Sequence, residues 1–184
     1  MHMYHTTKKK QIILVRHAHA LEIDNFDGTD FDRPLSDKWR EHALIITRYL
    51  RLIGVKPDCV ISSSSIRTRE TAEIMCKQYN IADINFLDDL YVGFESKNRD
   101  SNQVHMKRIK QTSLDTDILM LVGHNDDITK FAKYLSNDGV PSMKKWSLIV
   151  LSLPTDMNWN SIIPGELSML YYLTPQFLKL EELI

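Results

Sequence analysis

Three short, uninterrupted apolar runs constrain this chain more than any other feature. They are Gln11–Arg16 (QIILVR), residues 59–62 (CVIS) and residues 118–122 (ILMLV). A strand with one wet face alternates apolar and polar residues. These runs do not alternate, so each reads as a strand covered on both faces. Between them lie stretches of helical period. Behind Ser36, a residue suited to an N-cap, Trp39, Ala43, Ile46, Leu50 and Ile53 recur at spacings of three and four. Gly54 closes that helix and Pro57 prevents its restart. Residues 66–79, 102–111 and 126–135 predict further helices, and residues 84–87 a weak strand. Residues 17–35 and 91–101 are polar and read as loops. Residues 147–153 and 166–173 form two late strands with no room for a helix between them, so an antiparallel hairpin is expected. A short helix is expected at 175–180.

The resulting order, βαβαβαβαββ, predicts an α/β fold: a three-layer α/β/α sandwich around a mostly parallel central sheet. No internal repeat or low-complexity tract divides the 184 residues, which read as one domain with a frayed start at 1–10. Charge narrows the partners. With 23 basic and 24 acidic side chains the net charge is −1, without the cationic footprint of a nucleic-acid binder or a polybasic membrane-surface protein. No apolar run approaches the ~20 residues that span a bilayer, and residues 1–10 lack the apolar stretch of a signal peptide. The two cysteines, Cys59 and Cys76, are not in a CxxC pair and read as buried reduced thiols. A cytoplasmic location is the expectation.

In doubly covered sheets, ligands bind beyond the carboxyl ends of the strands. There the first strand leads into Arg16-His17, the second into Ser63-Ser64-Ser65-Ile66-Arg67, and the fourth into Gly123-His124-Asn125. Two histidines and two arginines thus converge on one rim. Arginine presents a fixed fork of donors that matches phosphate oxygens. The helix starting near Ile66 is expected to add its dipole and free N–H groups. A neutral imidazole beside a bound phosphoryl group is a competent nucleophile, and surrounding positive charge favours the neutral form. Four protein groups supply the positive potential, so no metal or other cofactor is called for.

Leu14-Val15-Arg16-His17-Ala18 resembles the Arg-His signature of the histidine phosphatase superfamily, the phosphoglycerate mutase-like fold. Residues 63–72 (SSSIRTRETA) resemble its second motif and place the family's second arginine on Arg67. Val122-Gly123-His124-Asn125 resembles the third, which carries the second histidine. The resemblance spans residues 11 to about 135. It implies a phosphate pocket of Arg16, His17, Arg67 and His124, with His17 taking the phosphoryl group. The stretch Asp30-Phe31-Asp32-Arg33-Pro34-Leu35-Ser36 and the short chain resemble the SixA-type phosphohistidine phosphatases. That implies a phosphorylated partner, either phosphohistidine in a protein or a small phosphate ester. Only about thirty residues separate the third and fourth strands, too few for the long insertions of small-molecule enzymes, so an open site is expected.

Departures from the family pattern are local, with one exception. Ala18 stands for a glycine, Ser64 for a proline, Thr68 for an alanine, Trp39 for a glycine, and Asp126 for a proline, where it is expected to cap the fourth helix. The exception is the general acid: the glutamate of the mutase branch has no counterpart in residues 87–93, an absence that SixA-type proteins share. Asp30, Asp88 and Asp89 are the candidates. A phosphohistidine leaves as an imidazole, so a strong protein acid is less necessary. The same gap leaves open a second class, a phosphate-binding module without turnover.

Other residues read as structural. Arg69, two positions past Arg67, faces elsewhere and is expected at the surface. His2, His5, His42 and His105 have no partners in sequence and are expected there too. His17 and His19 share a face but lack a third metal ligand. Ser63, Ser64 and Ser65 are not set in a nucleophile elbow and suit phosphate hydrogen bonding or helix capping. Asp24, Asp27, Asp30 and Asp32 lack calcium-loop spacing and read as turn chemistry.

Overall fold

The structure, a computed structural model, describes residues 9–91, 100–174 and 176, apart from the side chains of 37–42. Its elements are β1 (Gln11–Arg16), α1 (Asp37–Leu52), β2 (Cys59–Ser63), α2 (Ile66–Lys77), β3 (Asn85–Leu87), α3 (Ser101–Lys110), β4 (Ile118–Gly123), α4 (Asp127–Ser136), β5 (Leu148–Ser152) and β6 (Ser168–Leu173). Single 3-10 turns lie at Ile23–Asn25 and Asp88–Leu90. One six-stranded sheet has the order β3-β2-β4-β1-β5-β6. β1, β2, β3 and β4 run parallel; β5 is antiparallel to β1, and β6 to β5, as the missing crossover helix requires.

The unbroken apolar runs are explained by the layers. In β1, Ile13 and Val15 pack with Ala43, Ile46 and Leu50 of α1 and Ala72 and Met75 of α2. Ile12 and Leu14 point the other way, to Ile109 of α3 and Ile128, Phe131 and Leu135 of α4. β4 divides its side chains in the same manner, Met120 and Val122 on one face and Leu119 and Leu121 on the other. Each buried strand residue removes its side chain from water on alternate faces, worth roughly 1.5–3 kcal/mol apiece for Leu, Ile or Val. Gly54 ends α1 with φ of +75°, a left-handed conformation that glycine adopts without strain. The edge strand β6 differs: Met169, Leu170 and Tyr171 are exposed.

Several sequence expectations change. His105 is buried, not at the surface; on α3 it stacks on Phe131 with ring centroids 4.8 Å apart and its Nδ1 donates to the Ser101 carbonyl at 2.6 Å. Arg69 is half-buried, its guanidinium 4.1 Å from the Phe86 ring centroid and its Nε on the Ser64 carbonyl. Cys76 is buried as expected, but Cys59 only half so. Asp126 occupies the N-cap position of α4 with φ of +61°, yet its side chain makes no cap bond and instead accepts from Asn125 Nδ2. Ser36 likewise sits at the N-cap of α1 without a side-chain cap bond. The expected helix at 175–180 falls, but for residue 176, outside the described residues, as do His2 and His5, most of the loop at 91–101, and the side chains of Trp39 and His42. Among the described residues, no helix is long and apolar enough to cross a membrane.

Candidate active site

The sheet order sets β2, β4 and β1 side by side, so their carboxyl ends form one rim. Arg16 pairs with Gly123 across the parallel ladder, and the His17 amide donates to the Gly123 carbonyl at 3.0 Å. The two motif histidines are thereby neighbours: the His17 and His124 rings lie 5.3 Å apart, edge to face. Arg67, on the first turn of α2, is buried and brings Nη2 to 3.3 Å from His124 Nδ1. Arg16 Nη1 donates to the Met143 carbonyl at 2.7 Å, and its charge, with that of Arg67, is felt at His17. Four residues separated by up to 108 positions thus share one site.

Hydrogen bonds fix the tautomers. A carbonyl only accepts, so the 2.5 Å contact from His17 Nδ1 to the Ala18 carbonyl places the ring proton on Nδ1. His17 Nε2 then carries the lone pair, and it has no hydrogen-bond partner among the described residues. A guanidinium only donates, so His124 Nδ1 accepts from Arg67 and its Nε2 donates to Ser63 Oγ at 2.9 Å. Burial pushes the His17 imidazolium down to about 3, with Arg67 and Arg16 adding to the effect. Burial, the neighbouring His17 and Arg67 also hold His124 well below its ordinary value. Both rings are neutral at pH 7. Arg16 Nε and Arg67 Nε are buried and have no partner among the described residues. A buried donor without a partner is costly unless a ligand uses it.

The serine run does not cap α2 through its side chains. Ser63 orients His124, while Ser65 Oγ meets Thr68 Oγ1 at 2.9 Å and makes no cap bond. The N-terminal amides of α2 are also less available than expected. Ile66 N–H donates to the Phe31 carbonyl, and Thr68 and Arg69 N–H to the Ser65 carbonyl. The dipole of α2 remains, but these three amides do not point at a ligand.

Asp30 does more than the turn chemistry expected of the aspartates at 24–32. Besides the local turn bond to Arg33, the carboxylate named among the acid candidates packs on Arg67. Its backbone carbonyl accepts from Arg67 Nη1, and its Oδ2 accepts from Arg67 Nη2 and from the Tyr91 hydroxyl, each at 2.9 Å. Its Oδ1 accepts from Arg33 Nη2 at 2.6 Å. Burial would raise the carboxyl, but the Tyr91 hydroxyl, Arg67 and Arg33 outweigh it and hold Asp30 below its ordinary value. The loop is strapped down by the Ile66 amide on Phe31 and by Glu70 Oε2, which accepts from the Leu35 amide at 2.6 Å. Asp88 is exposed, and Asp89 is paired with Arg108 of α3. Tyr91 also stacks edge-on against His124 at 5.2 Å. Nothing in its sequence surroundings signals that role; for Asp30 the signal was its place just ahead of Arg33-Pro34-Leu35.

The site has counterparts. Residues 12–92 match the model of the histidine phosphatase superfamily (branch 1). An uncharacterised chloroplastic protein of Arabidopsis thaliana is 28% identical over 138 residues, 73% of this chain and 63% of that protein. The mitochondrial serine/threonine-protein phosphatase Pgam5 of Drosophila melanogaster is 35% identical over 71 residues, 39% of this chain and 24% of the relative. The chain therefore spans less than two thirds of the length of these curated relatives. Among solved structures, a phosphohistidine phosphatase SixA from Agrobacterium tumefaciens superposes with a TM-score of 0.70 at 24% identity, covering 90% of this chain and 99% of that one. Over residues 12–92 the chain is similar to the histidine phosphatase superfamily, and it shares its fold with SixA.

Proposed function

We propose that this protein is a phosphatase that removes a phosphoryl group through a covalent phosphohistidine on His17, acting on phosphohistidine in a protein. The observation that carries the reading is the His17 tautomer: Nδ1–H is held by the Ala18 carbonyl, and Nε2 carries the lone pair of a neutral ring that feels the charges of Arg67 and Arg16. In this reading Nε2 attacks phosphorus, a P–N bond forms, and the bond to the leaving group breaks with its electron pair. The proton stays on Nδ1, hydrogen-bonded to the Ala18 carbonyl throughout, so the positive charge that develops on the ring is met by a fixed dipole. Arg16 and Arg67, whose buried Nε donors have no partner among the described residues, hold the phosphoryl oxygens. His124 Nε2–H, now on Ser63 Oγ, turns to a third oxygen. Water then attacks the phosphohistidine, phosphate leaves, and His17 returns neutral with Nδ1 protonated.

The substrate follows from the acid. The carboxylate that touches Arg67 is Asp30, and it is held ionised. It has no proton for an alkoxide, which favours a leaving group that departs without one, as imidazole does. The test is turnover of a phosphohistidine peptide and of a small phosphate ester by wild-type protein and by His17→Ala. Wild-type turnover with a trapped phosphoenzyme, lost in the variant, supports the reading. Undiminished turnover in His17→Ala refutes the covalent route. Binding of the peptide with no phosphate release refutes the phosphatase and leaves a phosphate-binding module.

A further inference from the structure

The Asp30 carboxylate beside Arg67 is at odds with a site built for anions. Asp30 lies against the buried Arg67, and its own side chain is 47% exposed, so part of the carboxylate beside the arginine remains open to solvent. A carboxylate offers about four acceptor sites. Arg67 and Tyr91 take two on Oδ2, and Arg33 takes one on Oδ1. Among the described residues one site remains open, on Oδ1. From this geometry we infer that Asp30 selects the leaving group: it accepts a hydrogen bond from a cationic leaving group, a protonated nitrogen heterocycle, and repels anionic ones. The inference rests on the phosphatase reading above and deepens it.

The proton balance fits. A phosphorylated imidazole protonated on its far ring nitrogen is cationic in the ring. When His17 Nε2 takes the phosphoryl group, the P–N bond of the substrate breaks and its electron pair returns to the ring. The leaving group is then a neutral imidazole that keeps its far N–H. No proton has to move, only to be held, and an ionised carboxylate does that better than a carboxylic acid. The exchange is symmetric: Ala18 carbonyl holds the far proton of His17, and Asp30 Oδ1 holds the far proton of the substrate. A phosphate ester with an alkoxide leaving group, or a metabolite with a second anionic group near the phosphate, meets the carboxylate as a like charge instead.

The experiment compares two probes, phosphoimidazole and p-nitrophenyl phosphate, on the same preparations of wild-type protein, Asp30→Asn and Tyr91→Phe. The ratio of the two kcat/KM values does not depend on the fraction of folded protein, so a poorly folding variant still reports. The expected result is a ratio that falls roughly tenfold or more in Asp30→Asn, the worth of one charge-assisted hydrogen bond. Tyr91→Phe, which keeps the carboxylate, is expected to hold the wild-type ratio within a few fold. An unchanged ratio in Asp30→Asn overturns the inference, even if both activities drop, because Asp30 then serves only to support Arg67. An equal fall in Tyr91→Phe overturns it as well. If wild-type protein turns over neither probe, the phosphatase reading itself falls and takes this inference with it.

Discussion

The pocket rim and the face of α3 are made from the same parts and use them differently. Each has a histidine, an arginine–aspartate pair and an aromatic ring. On α3, His105 donates to its own helix at Ser101 and stacks on Phe131. Arg108 gives Nε and Nη2 to Asp89 and Nη1 to Gln111. At the rim, His17 keeps a free Nε2, and Arg16 and Arg67 each keep a buried Nε without a partner among the described residues. In the α3 cluster the His105 Nδ1–H and the Arg108 Nε, Nη1 and Nη2 donors are matched by protein acceptors. The rim is left incomplete at a cost in stability that a tetrahedral anion would relieve. Residue type does not separate function from structure here; the unspent donor does.

The largest test of that contrast is loss of the nucleophile. His17→Ala is expected to lower kcat by on the order of a thousandfold or more in steady-state assays, while His105→Ala leaves kcat within a few fold. Next is the fork. Arg67→Lys keeps the charge but loses the planar donors, and kcat/KM is expected to fall roughly ten- to a hundredfold; Arg108→Lys is expected to change it little. If Arg108→Lys costs as much as Arg67→Lys, the distinction between the two regions is wrong.

Stability gives smaller effects. His105→Ala removes a buried stacked ring and is expected to cost about 2 kcal/mol in urea unfolding. The pH dependence of stability follows from His17. Its folded pKa, about 3, lies below the unfolded value of 6.5, so between them the unfolded chain binds more protons than the native one. The contribution is complete above 6.5 and is lost as pH falls toward 3. Relative to His17→Gln, wild type is expected to lose about 2 kcal/mol between pH 6.5 and 5, checked by unfolding at both values. The same neutral ring predicts that kcat keeps its value through pH 6.5 rather than falling as an ordinary histidine protonates. The smallest effect is at the α3 pair, whose arginine and aspartate are partly exposed at 25% and 33%. Asp89→Asn is expected to cost less than about 1 kcal/mol.

The sequence by itself determined the layers and the rim. Unbroken apolar runs such as Ile12-Ile13-Leu14-Val15 can only be strands covered on both faces, and in a parallel sheet the residues after them must meet at one edge. That is why Arg16, His17, Arg67 and His124 could be named before any coordinate was known: their positions follow from strand ends, which local pattern marks. Asp30, Tyr91 and Ser63 could not be placed in this way. Asp30 and Tyr91 lie in the polar stretches between strands, where no period fixes direction, and Ser63, though at a strand end, had no marked partner. Asp30 meets Arg67 because the loop at residues 19–36 is folded back onto α2 by long-range bonds, Tyr91 reaches His124 from beyond the end of β3, and Ser63 meets His124 because β2 and β4 are neighbours in the sheet. His105 shows the same limit: a polar residue within an amphipathic helix is exposed or buried according to what packs over it, and only the tertiary structure sets Phe131 of α4 against it.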